Sequence, residues 1–262
     1  MRKKLEKIAL EAGQRMQAMQ KQGIHVDKKE GIGNYVTDAD VAVQQFLQEQ
    51  LRALLPEAGF AGEESKGQEN SLQGLRFIVD PIDGTANFAR GIPWSGVSIG
   101  LVEGETVLCG AVANPYTKDV YGAERGKGAY RNGERIYASK RPLREALVSA
   151  GFTSYSRELT DTMFRMFRAL FEKCEDMRSF GAAAPGLCML GAGMTDVYVE
   201  LRLQPWDYAA ASCIITEAGG RISTLDGSPV SFVRESSVLA AGAACYEEAL
   251  EICRSLLEQN QE

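Results

Sequence analysis

The segment Phe77-Ile78-Val79-Asp80-Pro81-Ile82-Asp83-Gly84-Thr85-Ala86-Asn87-Phe88 is the most informative part of this chain. Residues 77–79 are apolar and include β-branched side chains, which predicts a short buried strand. Pro81 has no N–H with which to continue a central ladder, so we expect the strand to end at Asp80. Asp80 and Asp83 would then lie where a strand gives way to a turn.

Gly84 and Thr85 follow the two acids, and they allow a tight turn into a short helix. The free N–H groups at a helix start form a ready site for an anion. Two carboxylates beside that site would repel an anion unless a cation lay between them. Mg²⁺ prefers oxygen ligands and is commonly shared between carboxylates and a phosphate. The segment therefore predicts a Mg²⁺–phosphate site, and the alternative is an Asp-rich turn that only caps a helix.

Composition narrows the class of protein. The 262 residues are 45% hydrophobic, enough for one large domain or two small ones. A net charge of −6 argues against a nucleic-acid groove as the main partner surface. The six cysteines form no CxxC pair, so we expect reduced thiols and a cytoplasmic protein. We expect neither a signal peptide nor a membrane span, because no apolar run is long enough.

His25 is the only histidine in the chain. Ser-His-Asp hydrolysis and HExxH metalloproteolysis would both have to use it. Its neighbours indicate a loop, and a surface position is the expected one. Carboxylates are therefore the side chains left for catalysis.

Hydrophobic spacing predicts an alternation of helices and strands, with an antiparallel sheet in the first half and a layered α/β arrangement in the second. Thr37 or Asp38 is expected to cap the second helix. Helices are predicted over residues 5–20, 41–55, 160–173, 182–190, 207–218 and 245–257. Strands are predicted over residues 58–61, 77–79, 95–102, 106–113, 119–123, 129–130, 146–150, 176–180, 195–200, 221–223 and 237–241.

Acidic residues recur at element ends along the chain. Glu63 and Glu64 follow a predicted strand, and Asp207 opens a predicted helix, where it could also serve only as a helix cap. Strand-end acids can converge on one ligand site. Five segments, taken in order along the chain, resemble the signature set of the inositol monophosphatase family, whose members are metal-dependent and lithium-sensitive phosphatases. They are Asp40, Gly62-Glu63-Glu64-Ser65, Asp80-Pro81-Ile82-Asp83-Gly84-Thr85, Trp206-Asp207 and Thr216-Glu217-Ala218-Gly219-Gly220.

The resemblance implies a role for each matching residue. Metal binding is implied for Glu63, Asp80, Asp83, Asp207 and the carbonyl of Ile82. Activation of the attacking water is implied for Glu63, Asp40 and Thr85. Substrate binding is implied for Asp83, Gly84, Thr85, Ala183, Glu200 and Asp207, with Lys29 as a further candidate. The N–H groups of Gly84 and Thr85 would hold the phosphate, and Glu200 would contact substrate hydroxyls.

The resemblance also implies an α/β fold, a layered α/β/α/β/α sandwich of the inositol monophosphatase and fructose-1,6-bisphosphatase type. Residues 1–262 would form one catalytic domain, with a metal-site half over 1–140 and a second α/β half over 141–262. Two or three Mg²⁺ ions per site, lithium sensitivity and a homodimer are expected. The implied reaction is hydrolysis of inositol 1-phosphate by in-line attack of a metal-activated water.

Departures from the family pattern leave the substrate open. Ala182 stands where a hydroxyl is usual, and Pro185-Gly186 stands where a helix-compatible pair is usual. Alternatives are therefore a phosphatase for another sugar phosphate, fructose 1,6-bisphosphate, NADP, histidinol phosphate or a 3′-phosphoadenosine nucleotide. A regulatory protein that binds RNA or transcription factors and a purely structural metal-bound domain are further possibilities. We expect a small phosphorylated polyol or sugar as the partner, with neither nucleic acid nor membrane as the main one.

Overall fold

The computed structural model of the protein describes residues 1–28, 35–65 and 74–258. Its helices are Arg2–Gln22 (α1), Asp38–Leu54 (α2), Thr85–Ala89 (α3), Thr160–Phe171 (α4), Ala183–Gly191 (α5), Pro205–Glu217 (α6) and Tyr246–Glu258 (α7). Its strands are Val26–Lys28 (β1), Tyr35–Thr37 (β2), Gly59–Gly62 (β3), Leu75–Asp83 (β4), Gly96–Glu103 (β5), Thr106–Asn114 (β6), Asp119–Glu124 (β7), Ala129–Arg131 (β8), Glu134–Arg135 (β9), Leu147–Ala150 (β10), Asp176–Arg178 (β11), Val197–Leu203 (β12), Gly220–Ser223 (β13) and Ser236–Gly242 (β14).

The first two layers are a helix pair and a large sheet. Strands β3 to β9 form a seven-stranded sheet in chain order, with β3 parallel to β4 and the other pairs antiparallel. Leu5 and Met16 of α1 and Leu47 of α2 pack against one face of this sheet, beside Phe77 and Val79. Ile78 points the opposite way, into a second core, as the two-residue period of a strand requires.

Helices α5 and α6 form the middle layer, because Leu187 and Ile214 share a core with residues of both sheets. The second sheet has the order β11-β10-β12-β14-β13, parallel in its first three strands and antiparallel in the rest. Met166 of α4 and Leu250 of α7 cover its far face. The order of layers is thus α/β/α/β/α, and the predicted sandwich is confirmed.

Strand β4 corrects one prediction. It does not end at Asp80 but continues to Asp83, antiparallel to β5. The pairing is irregular between Asp80, which lies opposite Ser98, and Asp83, which lies opposite Gly96. This irregularity accommodates Pro81, since a residue without an N–H is tolerated where the ladder is locally interrupted.

Most other predicted elements are confirmed, with shifted ends. Thr37 is the cap of α2, while α6 begins at Pro205, with Gln204 as its cap, and not at Asp207. His25 is exposed as expected, but the predicted loop around it includes β1, which pairs with β2 in a short antiparallel ladder. A three-residue strand carries too little periodic pattern to be recognised.

Helix α6 lies unusually close to the seven-stranded sheet, and Gly110 of β6 makes this possible. A Cβ atom at Gly110 would stand 2.8 Å from the Cα of Ala210 and closer still to the Ala210 carbonyl oxygen. Gly100 of β5 faces the same helix, where an added Cβ would be 3.0 Å from the Cβ of Ala209. These glycines set the distance between α6 and the seven-stranded sheet. Helix α6 carries Asp207 in its first turn.

We expect Gly110→Ala to destabilise the protein, because the added methyl meets helix backbone and cannot be accommodated by a side-chain rotation. Overpacking of this kind costs about 1–3 kcal/mol, which corresponds to a Tm about 2–10 °C lower. Gly59→Ala is the matched control, since its Cβ would lie 3.4 Å from the Cβ of Arg76, an ordinary contact. Equal Tm values for the two variants in thermal denaturation would contradict this packing explanation.

Candidate metal centre and active site

Three buried carboxylates converge where the two sheets and the middle helices meet. Asp80 and Asp83 come from the end of β4, and Asp207 comes from the first turn of α6. One oxygen from each lies within 4.8 Å of an oxygen of the other two. Asp207 lies more than 120 positions after Asp80 and Asp83 in the chain, so only the layered packing brings it to them.

Backbone N–H groups fix the orientation of these carboxylates. Asp80 Oδ1 accepts from the Ile82 N–H at 2.9 Å. Asp83 Oδ2 accepts from the Ala184 N–H at the start of α5, at 2.6 Å. Asp207 Oδ2 accepts from the Gln204 N–H at 2.7 Å, within the capping box of α6. Helix capping and metal binding are therefore compatible at Asp207, because the cap uses one carboxylate oxygen and leaves the other.

Asp40 lies behind this cluster, fully buried. Its Oδ2 accepts from the N–H of Thr37 at 2.7 Å and from the Thr37 hydroxyl at 2.6 Å, which completes the capping box of α2. The Thr85 hydroxyl reaches Asp40 Oδ1 at 3.5 Å and the carbonyl oxygen of Ile82 at 3.1 Å. Thr85 is thus the link between Asp40 and the cleft.

Burial raises the pKa of each of these acids. It raises the pKa of Asp40 to about 7, with the hydrogen bonds from Thr37 opposing the shift. It also raises the pKa of Asp83 to about 7, opposed by the N–H groups of Ala184, Ala183 and Gly84. The pKa values of Asp80 and Asp207 are raised well above the usual range, first by burial and then by the neighbouring negative charges.

The donor set fits a hard divalent cation. Within the described residues, Asp80, Asp83 and Asp207 have no ion-pair partner. Buried charges without a counter-ion are costly in a protein interior. Oxygen-only ligands are the set that Mg²⁺ prefers, and a bound cation would remove the mutual repulsion.

The cluster lies at the base of a cleft of about 530 Å³. The sequence-predicted residues that line this cleft are Glu63, Asp80, Ile82, Asp83, Gly84, Thr85, Ala183, Glu200 and Asp207. Asp40 does not line it, and Lys29 lies outside the described residues. Gly84 has a left-handed backbone (φ 84°) and precedes helix α3, as the predicted turn requires. Ten of the predicted site residues are thus gathered at one place or directly behind it.

Glu200 lies on the second sheet, buried on the side of the cleft opposite the carboxylate cluster. Burial raises its pKa to about 8, and its Oε2 accepts a 2.6 Å hydrogen bond from the Tyr198 hydroxyl. Its carboxylate lies directly against the backbone of Gly151, where a Cβ would be 2.9 Å from Oε1 and closer to Oε2. Neither Tyr198 nor Gly151 was identified from sequence, since nothing in their local pattern marks a tyrosine in a strand or a glycine after one.

The two departures from the family pattern both pack in the middle layer. Ala182 precedes α5 and packs over Gly84. A Cβ atom added at Gly84 would be 2.9 Å from the Cβ of Ala182. Pro185 is in the first turn of α5, where proline is tolerated because the N–H has no helical acceptor. Pro185-Gly186 therefore does not interrupt the helix.

Comparisons with known proteins agree on one family. The model of the inositol monophosphatase family matches residues 1–261. An inositol-1-monophosphatase of Caulobacter vibrioides is 36% identical over 230 residues, 87% of this chain and 90% of that protein. A fructose-1,6-bisphosphatase/inositol-1-monophosphatase of Aquifex aeolicus is 35% identical (88% and 86% covered), and the Nus factor SuhB of Haemophilus influenzae is 33% identical (87% and 86% covered).

Solved structures show the same fold. The extragenic suppressor protein SuhB of Bartonella henselae superposes with a TM-score of 0.87 at 30% identity, covering 97% of both chains. An inositol monophosphatase II of Staphylococcus aureus with inositol monophosphate bound has a TM-score of 0.82 at 26% identity, covering 98% of this chain and 96% of that one. No helix among the described residues is long and apolar enough to cross a membrane.

We expect the metal-free protein to lose stability as pH rises from about 5 to about 8. The folded chain keeps protons on Asp40, Asp83 and Glu200, whose pKa values are raised to about 7, 7 and 8, while the unfolded chain releases them near pH 4. The contribution of these groups is therefore complete at low pH and is lost as pH passes through their folded pKa values. Thermal denaturation in chelator, with and without added Mg²⁺, measures this.

The stabilisation by Mg²⁺ should accordingly be larger at about pH 8.5 than at about pH 5.5, since the protons that compete with the cation are then gone. Asp207→Asn is the matched variant, because it removes one carboxylate and keeps the side-chain shape. Its metal-free Tm should vary less with pH. An equal Mg²⁺ effect at both pH values would contradict the assignment of this cluster to a metal.

Proposed function

The chain belongs to the inositol monophosphatase family, and on that basis we propose that it is a Mg²⁺-dependent phosphomonoester hydrolase that acts on inositol 1-phosphate. One observation carries the proposal: the oxygens of Asp80, Asp83 and Asp207 meet at the base of an open cleft, buried and without a cationic partner in the described part of the chain. Hydrolysis of phosphate monoesters is among the slowest reactions in water, and positive charge placed at the phosphate is what accelerates it.

The proposed ligands of two or three Mg²⁺ ions are Glu63, Asp80, Asp83, Asp207 and the carbonyl of Ile82. When bound, such ions activate water and neutralise the charge that develops on the leaving oxygen. The chain itself supplies the fixed geometry, since each aspartate of the cluster is already oriented by a backbone N–H. Preorganised ligands need no rearrangement during the reaction.

Thr85 and Asp40 are proposed to orient the attacking water. The single hydroxyl proton of Thr85 is directed to Asp40 or to the Ile82 carbonyl, both within 3.5 Å. The lone pairs of the Thr85 oxygen then remain to accept a proton of the water. Glu63, which lines the cleft, is the proposed acceptor of the proton that the water releases. The Gly84 and Thr85 N–H groups are proposed to bind phosphate oxygens.

Charge in the cleft favours a substrate with one phosphate. Among the described residues that line it there is no lysine, arginine or histidine, so a second phosphate would find no cationic side chain among them. This disfavours fructose 1,6-bisphosphate, although a relative carries that activity in its name, and also the 3′-phosphoadenosine bisphosphates. The bound inositol monophosphate in the related Staphylococcus aureus structure is consistent with the single-phosphate choice.

Some relatives are named Nus factor SuhB, which keeps a regulatory role as the alternative of another class. The charge of −6 and the complete carboxylate set support an enzyme instead. Family membership also supports the remaining parts of our proposal: a single catalytic domain over residues 1–262, a homodimer, a cytoplasmic location and sensitivity to lithium.

Phosphate release from a substrate panel with added Mg²⁺ tests this function. We expect kcat/KM to be highest for myo-inositol 1-phosphate among single-phosphate polyols and sugars, and lower for fructose 1,6-bisphosphate, histidinol phosphate and adenosine 3′,5′-bisphosphate. Chelation should abolish turnover, because the carboxylates would otherwise repel the substrate. Full activity after exhaustive chelation, or no release from any ester alongside RNA binding, would contradict the proposal.

Glu63→Gln should lower kcat on the order of 10²-fold, the scale for losing one electrostatic element of an active site. KM should change much less, since Asp80, Asp83 and Asp207 remain in place. Glu64→Gln is the matched control: it is adjacent in sequence but is not among the residues that line the cleft. Steady-state kinetics and melting curves of both variants separate chemistry from stability. If kcat fell strongly in Glu64→Gln and stayed at the wild-type value in Glu63→Gln, the metal ligand would be Glu64 and not Glu63.

A further inference from the structure

The turn after β3 brings Glu63 to the cleft, and backbone hydrogen bonds hold it on the side of the sheet. Glu63 donates its N–H to the Val79 carbonyl at 3.1 Å, which extends the parallel pairing of β3 with β4 by one residue. Ser65 donates its N–H to the Gly62 carbonyl at 3.0 Å and so closes the turn. The backbone of Glu63 is therefore fixed next to the residue that precedes Asp80 on β4.

The side-chain amide of Gln44 binds the same turn from helix α2. Its Oε1 accepts a hydrogen bond from the Glu64 N–H at 2.8 Å, and its Nε2 donates to the Ser65 hydroxyl oxygen at 3.3 Å. Gly62 leaves room for the amide, because a Cβ atom there would be 2.7 Å from the Gln44 Cδ and closer still to its Oε1. Gln44 thus binds the two residues that directly follow Glu63.

Helix α2 also carries Asp40, one helical turn before Gln44. The hydroxyl of Thr85 reaches Asp40 Oδ1 at 3.5 Å. The helix itself is packed on the seven-stranded sheet through Leu47. One rigid helix therefore contacts both sides of the proposed water site: Thr85 through Asp40, and the turn of Glu63 through Gln44.

We propose that Gln44 is a positioning residue for Glu63. Gln44 is not among the residues that line the cleft, so it acts through the backbone of the turn and not on the substrate. By binding Glu64 and Ser65 it fixes the direction in which the Glu63 carboxylate enters the cleft. This inference rests on the proposed phosphatase function and adds to it how the proton acceptor is held. A catalytic group that is displaced by a small distance loses rate although its chemistry is unchanged.

Gln44→Met is the variant that tests this role, because methionine keeps the length of the side chain and replaces the amide by a thioether. We expect kcat to fall about 10-fold, the scale for losing a residue that orients a metal ligand, while KM changes much less. Gln44→Glu should lower kcat less, because a carboxylate still accepts from the Glu64 N–H and the Ser65 hydroxyl can donate to it. Gln48→Met is the matched control, since Gln48 is also half-buried, lies one turn further along α2 and makes neither contact.

The same substitution in a Glu63→Gln background separates positioning from a general loss of structure. If Gln44 acts through the Glu63 carboxylate, Gln44→Met should lower kcat of the Glu63→Gln enzyme by less than about twofold. The measurement is steady-state phosphate release from myo-inositol 1-phosphate with Mg²⁺ on the full chain, with a melting curve for each variant. Equal fold losses in the two backgrounds, or no loss in the wild-type background, overturn the inference. If Gln44→Met does not fold, Ser65→Ala takes its place in the same comparison.

Mg²⁺ binding gives a second readout that needs no turnover. Because Glu63 is a proposed metal ligand, Gln44→Met should need about 10-fold more Mg²⁺ for the half-maximal rise in Tm, whereas Gln48→Met should match the wild type. A Gln44→Met midpoint equal to that of the wild type overturns the inference. A wild type that releases phosphate from no ester, while Gln44→Met still shifts the Mg²⁺ midpoint, would overturn the proposed function and support the placement of Glu63 by Gln44.

Discussion

The constraint on which the rest of this structure depends is a cluster of buried carboxylates that has no cationic partner among the described residues. Asp80, Asp83 and Asp207 bring their oxygens within 4.8 Å of one another in the protein interior, and burial raises the pKa of each. Such a cluster is unfavourable unless protons or cations occupy it. Each carboxylate accepts a hydrogen bond from a backbone N–H, which partly offsets the cost of burial. These hydrogen bonds also fix the orientation of the carboxylates without a bound cation.

The N-termini of helices position three of these acids. Asp40 and Asp207 are both third residues of capping boxes, and Asp83 accepts from the first turn of α5. A helix N-terminus favours negative charge and has free N–H groups. Three separate helices therefore direct positive ends toward one cleft. At Asp207 the cap uses one carboxylate oxygen and leaves the other for the site, so the structural and functional explanations of this acid do not compete.

The two sheets contribute different residues to the cleft. The seven-stranded sheet contributes Asp80 and Asp83, and the five-stranded sheet contributes Glu200. Helix α6 packs on glycines of the first sheet and carries Asp207. In our proposal the seven-stranded sheet and α6 hold the groups that act on the phosphate, and the five-stranded sheet holds a group that contacts the alcohol.

The sequence by itself determined the class of chemistry and the layered fold. A single histidine left carboxylates as the catalytic groups, and the apolar run before Asp80 with the turn after Asp83 indicated a cation and phosphate site. Periodic patterns located most helices and strands. The local rule for Pro81 ended β4 three residues early, because the pairing of β4 with β5 resumes beyond a local irregularity. Only the tertiary structure decided which residues meet. Contacts such as Glu200 with Gly151, and Asp83 with the Ala184 N–H, depend on the order of the strands and on the distance between helices and sheets. Packing between distant segments sets both, and it leaves no periodic pattern in the sequence.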